Sequence, residues 1–124
     1  HLVPSFIFKM NQVLFSISPK DFSFIIEKNL SDIFARLSKA NAKINLMQNS
    51  ALKFSILLDG DKTNTTEIFD AFKDSYDVKF NEQLELVTIR HYDQATIDRV
   101  TEGKEELLQQ KTRETARLIV KQKK

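Results

Sequence analysis

Between Val13 and Ser18 the side chains alternate, with Val13, Phe15 and Ile17 on one side and Leu14, Ser16 and Ser18 on the other. A period of two marks a strand, and Pro19 closes it. From Leu30 the spacing changes to i, i+3, i+4, i+7 through Leu30, Ile33, Phe34 and Leu37. This predicts a helix over Leu30 to Ala40 with Asn29 at its N-cap. Ile44 to Ser50 and Leu52 to Leu58 read as two further strands, the second with Leu52, Phe54, Ile56 and Leu58 on one face, and they are expected to pair as a hairpin. Asp59, Gly60 and Asp61 form a turn. Asn64 followed by Glu67 then reads as a capping box opening a helix that holds Ile68, Phe69, Phe72 and Tyr76. Val78 to Phe80 is a short strand ending at the polar run Asn81, Glu82 and Gln83.

Strand, helix, strand, strand, helix, strand is the ferredoxin-like plan, an antiparallel sheet beneath two helices. The expected fold class is therefore α+β, with a βαββαβ unit over residues 12–82. A second, shorter unit is expected over 84–120. It would hold a strand from Leu84 to His91, a helix capped by Asp93 and carrying Ile97, Val100, Leu107 and Leu108, and a last strand from Thr115 to Val120. Gly103 falls within that helix and weakens it by roughly 1 kcal/mol relative to alanine. Residues 5–10, where Phe6 and Phe8 alternate against Ile7, form another strand outside the first unit. A lone βαβ piece cannot bury its faces, so this leading strand is expected to join it.

A chain of 124 residues holds one compact domain or one and a half small ones, and its 41% hydrophobic and 29% charged residues place it with globular proteins. No stretch approaches the ~18 uninterrupted apolar residues of a spanning helix, and His1 to Met10 lacks a signal-peptide pattern, so a cytoplasmic protein with no membrane partner is expected. Charge is uneven: six cations against Glu114 make residues 111–124 positive by five while the rest is negative by three, for a net +2. Such a cluster can meet phosphates or acidic surfaces, but a solvated basic tail over 121–124 is the plainer reading.

Candidate chemistry is sparse. With no cysteine, and His91 the one internal histidine, nucleophilic triads and clustered metal ligands lack their ingredients, so neither catalytic residues nor a metal site is expected. Gly60 and Gly103 are far apart and build no phosphate cradle, so no cofactor is expected either. RNA-binding modules of this plan stack bases on aromatics of the third strand. Here the face opposite Phe54 offers Lys53, Ser55 and Leu57, which argues against nucleic acid. In Leu46-Met47-Gln48-Asn49-Ser50 two amides end a strand, where such side chains either satisfy turn backbone or await a polar ligand.

Ile44-Asn45-Leu46-Met47-Gln48-Asn49-Ser50, preceded by the helix Leu30 to Ala40 and followed by Lys53-Phe54-Ser55-Ile56, resembles the first ACT domain in the regulatory half of aspartate kinases. Leu84-Glu85-Leu86-Val87-Thr88-Ile89-Arg90 resembles the strand that opens their second ACT domain, and the resemblance extends from about Ser5 onward. It implies a ferredoxin-like ACT domain plus a partial second ACT-like unit, whose leading strand precedes the first domain in sequence. It also implies feedback control. Aspartate kinase phosphorylates the side-chain carboxylate of aspartate with ATP, the first step toward lysine, threonine and methionine, and end-product amino acids bind the ACT domains to switch it off. This chain would then be no enzyme by itself. ATP and Mg would belong to a kinase catalytic domain outside these residues, its expected partner.

The resemblance places a free amino acid, lysine or threonine, at the seam of a homodimer formed through ACT domains, where the loop after the first strand meets the end of the second. Amide protons near Asn29, Leu30 and Ser31 would receive the effector's carboxylate, because a helix N-terminus favours an anion. Asn45, Met47, Gln48, Asn49 and Ser50 would line the remainder. Lysine-sensing relatives carry an acidic residue at the position of Asn45. Relatives also commonly carry a glycine in the loop that here, from Lys20 to Asn29, holds Phe22, Phe24, Ile25 and Ile26. A dimerisation scaffold with a decayed effector pocket is therefore a second expectation, and an RNA-binding ferredoxin-like module a third.

Overall fold

The computed structural model describes residues 3–123; His1, Leu2 and Lys124, the last residue of the basic tail, lie outside the described residues. Its elements run β1 (Ser5–Pro19), α1 (Glu27–Lys39), β2 (Ile44–Asn49), β3 (Phe54–Asp59), α2 (Thr65–Phe72), β4 (Tyr76–Arg90), α3 (Gln94–Thr101), β5 (Lys104–Lys111) and β6 (Thr115–Gln122). Contacts divide the chain into two compact units, one of Gln12–Glu82 and one that joins the residues up to Asn11 with those from Gln83 onward.

In the unit Gln12–Glu82 the strand order is β2-β3-β1-β4. β1 meets β3 antiparallel with Phe15 opposite Ile56, and β3 meets β2 antiparallel with Met47 opposite Ile56. Val13, Phe15, Ile17, Phe54, Ile56 and Leu58 therefore face one way, and Ile33 and Leu37 of α1 with Ile68 and Phe72 of α2 close over them. This is the α+β ferredoxin-like plan, with the amphipathic spacing of each helix deciding which side it buries. β3 is buried on its other face too, at Ser55 and Leu57, so no open face remains there for stacking bases.

Several boundaries move. α1 begins at Glu27, with Ile26 at the N-cap, and Asn29 is its third residue, reaching back so that its Oδ1 accepts the Ile26 N–H at 3.0 Å. The same side chain can cap from either position, which is why the spacing alone put it at the start. The helix ends where Asn41, at φ 55°, donates to Ser38 and Ala42 donates to Leu37, a Schellman arrangement. Leu52 is not on β3; it is exposed in the turn Ser50 to Lys53. Tyr76 opens β4 rather than closing α2, which Asn64 caps by accepting the Glu67 N–H at 3.1 Å. β1 and β4 each run on where a break is expected, with Asn11 and Gln83 at φ 52° and 57° inside them. Polar side chains mark those points, but the ladder uses backbone groups that every residue carries.

The other unit orders its strands β1-β4-β6-β5. Here the expected long helix is corrected. α3 stops at Thr101, Gly103 takes φ +73°, and Leu107 and Leu108 lie on β5, which pairs antiparallel with β6. A left-handed residue is cheapest at glycine and cannot continue a right-handed helix, so Gly103 ends α3 rather than weakening it. The unit thus holds β-α-β-β plus the leading strand, not β-α-β. β6 extends to Gln122, so Lys121, expected in the tail, is strand, while Ala116, Leu118 and Val120 join Val87, Ile89 and Ile97 in its core. Lys104 Nζ reaches Glu85 Oε1 at 2.8 Å, with both side chains largely buried.

Candidate functional site

The loop from Lys20 to Ile26 is shaped by its own polar groups. Asp21 Oδ1 accepts the Ser23 N–H at 3.1 Å and its hydroxyl at 2.6 Å, and the serine hydroxyl holds the Asp21 carboxyl below its usual pKa. Phe22 sits at φ 62°, where a side chain is seldom found, and is 91% exposed. The loop then meets the β2–β3 turn, for the Ile25 N–H donates to the Ala51 carbonyl at 2.8 Å. Strand β2 lies at the edge of its unit, paired on one side by β3.

The eight residues expected to hold an effector separate into groups. Leu30 N–H already donates to the Ile26 carbonyl at 3.1 Å, and Ser31 lies a further residue into the helix. The amides without an intrahelical acceptor at this end are those of the first turn, Glu27, Lys28 and Asn29, so the expected donors shift toward Glu27. Asn45 stands at a bulge between Ile44 and Leu46 and donates its Nδ2–H to Oε1 of the buried Gln12 at 2.7 Å. Ser50 closes the turn, its N–H and hydroxyl both donating to the Lys53 carbonyl and its Oγ accepting the Lys53 N–H. Met47, opposite Ile56, and Asn49, opposite Phe54, are exposed on the face that α1 covers. Gln48 is exposed on the other face, beside buried Leu46. Asn49 and Met47 therefore lie on the α1 side of the sheet, and Gln48 does not.

Sequence reasoning missed a second constellation. A polar cleft of about 420 Å³ is lined by Pro19, Lys20, Asp21, Ser23, Asn29, Asp32, Arg36, Ser75 and Tyr76. Tyr76 donates its hydroxyl to Asp32 Oδ2 at 2.7 Å, and Arg36 donates Nε–H to Asp32 Oδ1 at 3.2 Å, one guanidinium N–H to the Ala71 carbonyl at 2.8 Å and another to Ser75 Oγ at 3.0 Å. The i, i+4 spacing of Asp32 and Arg36 was legible. Tyr76, 44 positions from Asp32, was not. These groups fasten α1 to the end of α2. The Tyr76 hydrogen bond, aided by Arg36, holds the Asp32 carboxyl below its usual pKa, and burial, followed by the Asp32 bond, raises that of the Tyr76 phenol.

A pH dependence follows. Asp32, with its folded pKa depressed, contributes stability that is present above about pH 4 and lost as pH falls through the folded value; Tyr76, with its pKa raised, contributes stability present below about pH 10 and lost above its folded value. Thermal melts across pH 2 to 12 are expected to show both limbs, with Asp32→Asn flattening the acid one. An unchanged acid limb in that variant would show that other carboxylates govern it.

Among the described residues no three or more His, Cys, Asp or Glu side chains cluster to hold a metal ion, and no helix is long and apolar enough to cross a membrane. The strand order, helix placement and leading strand define an ACT-type fold of the α+β ferredoxin-like class, a complete unit accompanied by a shorter one. The solved structures that share it include regulatory parts of aspartate kinases. One, from Porphyromonas gingivalis and described as a C-terminal regulatory domain of aspartate kinase, is 15% identical, with a TM-score of 0.76 over 96% of this chain and 86% of that one. The regulatory subunit of aspartate kinase from Thermus flavus is 8% identical, with a TM-score of 0.68 over 93% of this chain and 86% of its own. E. coli aspartokinase III in complex with lysine and aspartate, in its T-state, is 16% identical, with a TM-score of 0.72 over 93% of this chain; the chain spans 28% of that enzyme. No protein-family model matches the sequence, and no curated protein does.

Proposed function

We propose that this chain is the regulatory region of an aspartate kinase, an ACT-type sensor that binds an end-product amino acid, lysine or threonine, and adjusts a catalytic domain carried elsewhere. The observation that carries this reading is the junction at the open edge of β2, where the β1–α1 loop is hydrogen-bonded to the β2–β3 turn beside the first turn of α1 and exposed Asn49. Two copies pairing along β2 would continue the sheet and close the junction into a small polar hollow. The first-turn amides suit the effector's carboxylate, and Asn49 its ammonium or side chain. Regulation would follow from a higher affinity of the effector for one state of the enzyme than for the other. The setting is cytoplasmic amino-acid biosynthesis, and the fold's presence in aspartokinase III with lysine supports the pairing of sensor and kinase.

A second reading keeps the dimer and drops the ligand, because Asn45 is engaged by Gln12 and Ser50 by its own turn. Titration calorimetry with lysine, threonine and methionine in turn separates them. Saturable heat from one amino acid is expected, together with a dimer in sedimentation, and Asn49→Ala should weaken binding about tenfold or more, or ~1.4 kcal/mol. A folded dimer that gives no heat with any of the three would leave only the scaffold.

A further inference from the structure

The start of α1 is fixed by a side chain from inside the helix. Ile26, at the N-cap, has no side-chain oxygen and makes no side-chain cap bond. Asn29 supplies the missing acceptor, its Oδ1 taking the Ile26 N–H at 3.0 Å. An asparagine amide can turn over about its last torsion and offer a donor where it offered an acceptor, so the cap holds only if a second group sets which way the amide faces.

That group comes from β4. Tyr76, buried at the opening of the strand, donates its hydroxyl to Asp32 Oδ2 at 2.7 Å. Asp32 is a carboxylate at neutral pH and can only accept; its Oδ1 takes the Arg36 Nε–H at 3.2 Å. With its one proton committed there, the Tyr76 oxygen can only accept from Asn29, to which it is hydrogen-bonded and beside which it lines the polar cleft. Asn29 must therefore turn its Nδ2 to Tyr76 and its Oδ1 to Ile26. Donation runs one way along the row, from Ile26 through Asn29 and Tyr76 to Asp32, and Arg36 anchors the far end on the Ala71 carbonyl and Ser75 Oγ. Asn29, Asp32 and Arg36 stand at i, i+3 and i+7, on a single face of α1. We propose that Tyr76 is a positioning residue for the effector junction: by setting the Asn29 amide it holds Ile26 and the open first-turn amides in the arrangement that receives the effector's carboxylate. This role rests on the reading of that junction as an amino-acid site.

Tyr76→Phe keeps the ring edge-on to Phe72, 6.0 Å away, and removes only the hydroxyl. Calorimetric titration of the full chain with lysine, threonine and methionine in turn is expected to show the amino acid that binds losing about fivefold in affinity, the size of a weakened helix cap. Loss of folded protein would lower the stoichiometry and leave Kd unchanged, so the readout separates positioning from stability. Two residues acting through one row should not add, so Asn29→Ala/Tyr76→Phe is expected to bind no more weakly than Asn29→Ala alone. Without any amino acid, the Ile26 amide should exchange its hydrogen several-fold faster in Tyr76→Phe, while that of Ile25, bonded to the Ala51 carbonyl, keeps its rate. An unchanged Kd in Tyr76→Phe, additive losses in the double variant or an unmoved Ile26 exchange rate each overturn the role and leave the amino-acid site standing. No heat from any of the three in the unsubstituted chain removes the site itself, and the role with it.

Discussion

Phe72→Ala is expected to lower the unfolding free energy by about 3–5 kcal/mol, near the upper end for a single core truncation. Phe72 is fully buried in the cluster formed by β1, β3, α1 and α2. Its ring meets Tyr76 edge-on at 6.0 Å, and the Arg36 guanidinium lies 5.9 Å from its centroid. Removing the ring leaves a void beneath the short helix α2, and because Arg36 and Tyr76 are tied to Asp32 they cannot move in to fill it. Urea denaturation followed by circular dichroism measures the loss. Phe34→Ala is the control, since Phe34 touches Phe54 but is 39% exposed, and it should cost well under half as much. Equal losses for both would show that α2 is not held by this residue.

Lys104→Met is expected to cost about 3 kcal/mol, which the double variant Lys104→Met/Glu85→Leu largely restores. The two side chains are 17% and 12% exposed and meet at 2.8 Å. Removing the ammonium strands a carboxylate among apolar neighbours, whereas removing both charges leaves nothing unpaired. A double-mutant cycle in urea at neutral pH isolates the coupling. If the single and double variants lose the same stability, water reaches Glu85 freely and the pair is a surface one.

Only the local geometry of the candidate site was legible. Asn49 and Met47 on the α1 side of β2 could be named from the sequence because alternation along a strand needs only local order. The competition for Asn45 and Ser50 could not, since Gln12 lies on another strand and the Ser50 turn is closed by the backbone N–H and carbonyl of Lys53, which carry no sequence mark. The cleft around Asp32 escaped for the same reason, for it exists only because Tyr76 leaves α2 and opens β4.

Local spacing by itself determined the βαββαβ order, the faces that α1 and α2 bury, the Asn64 and Asp93 caps and the β2–β3 hairpin, all of which depend on residues within a few positions of one another. Tertiary structure alone decided that β1 and β4 run on through Asn11 and Gln83, that Leu107 and Leu108 belong to a strand, and which polar groups are already engaged. The physical reason is reach. Periodicity records which side of an element is apolar, but a strand continues, and a polar group is satisfied, only through a partner that the chain brings back from far along its length.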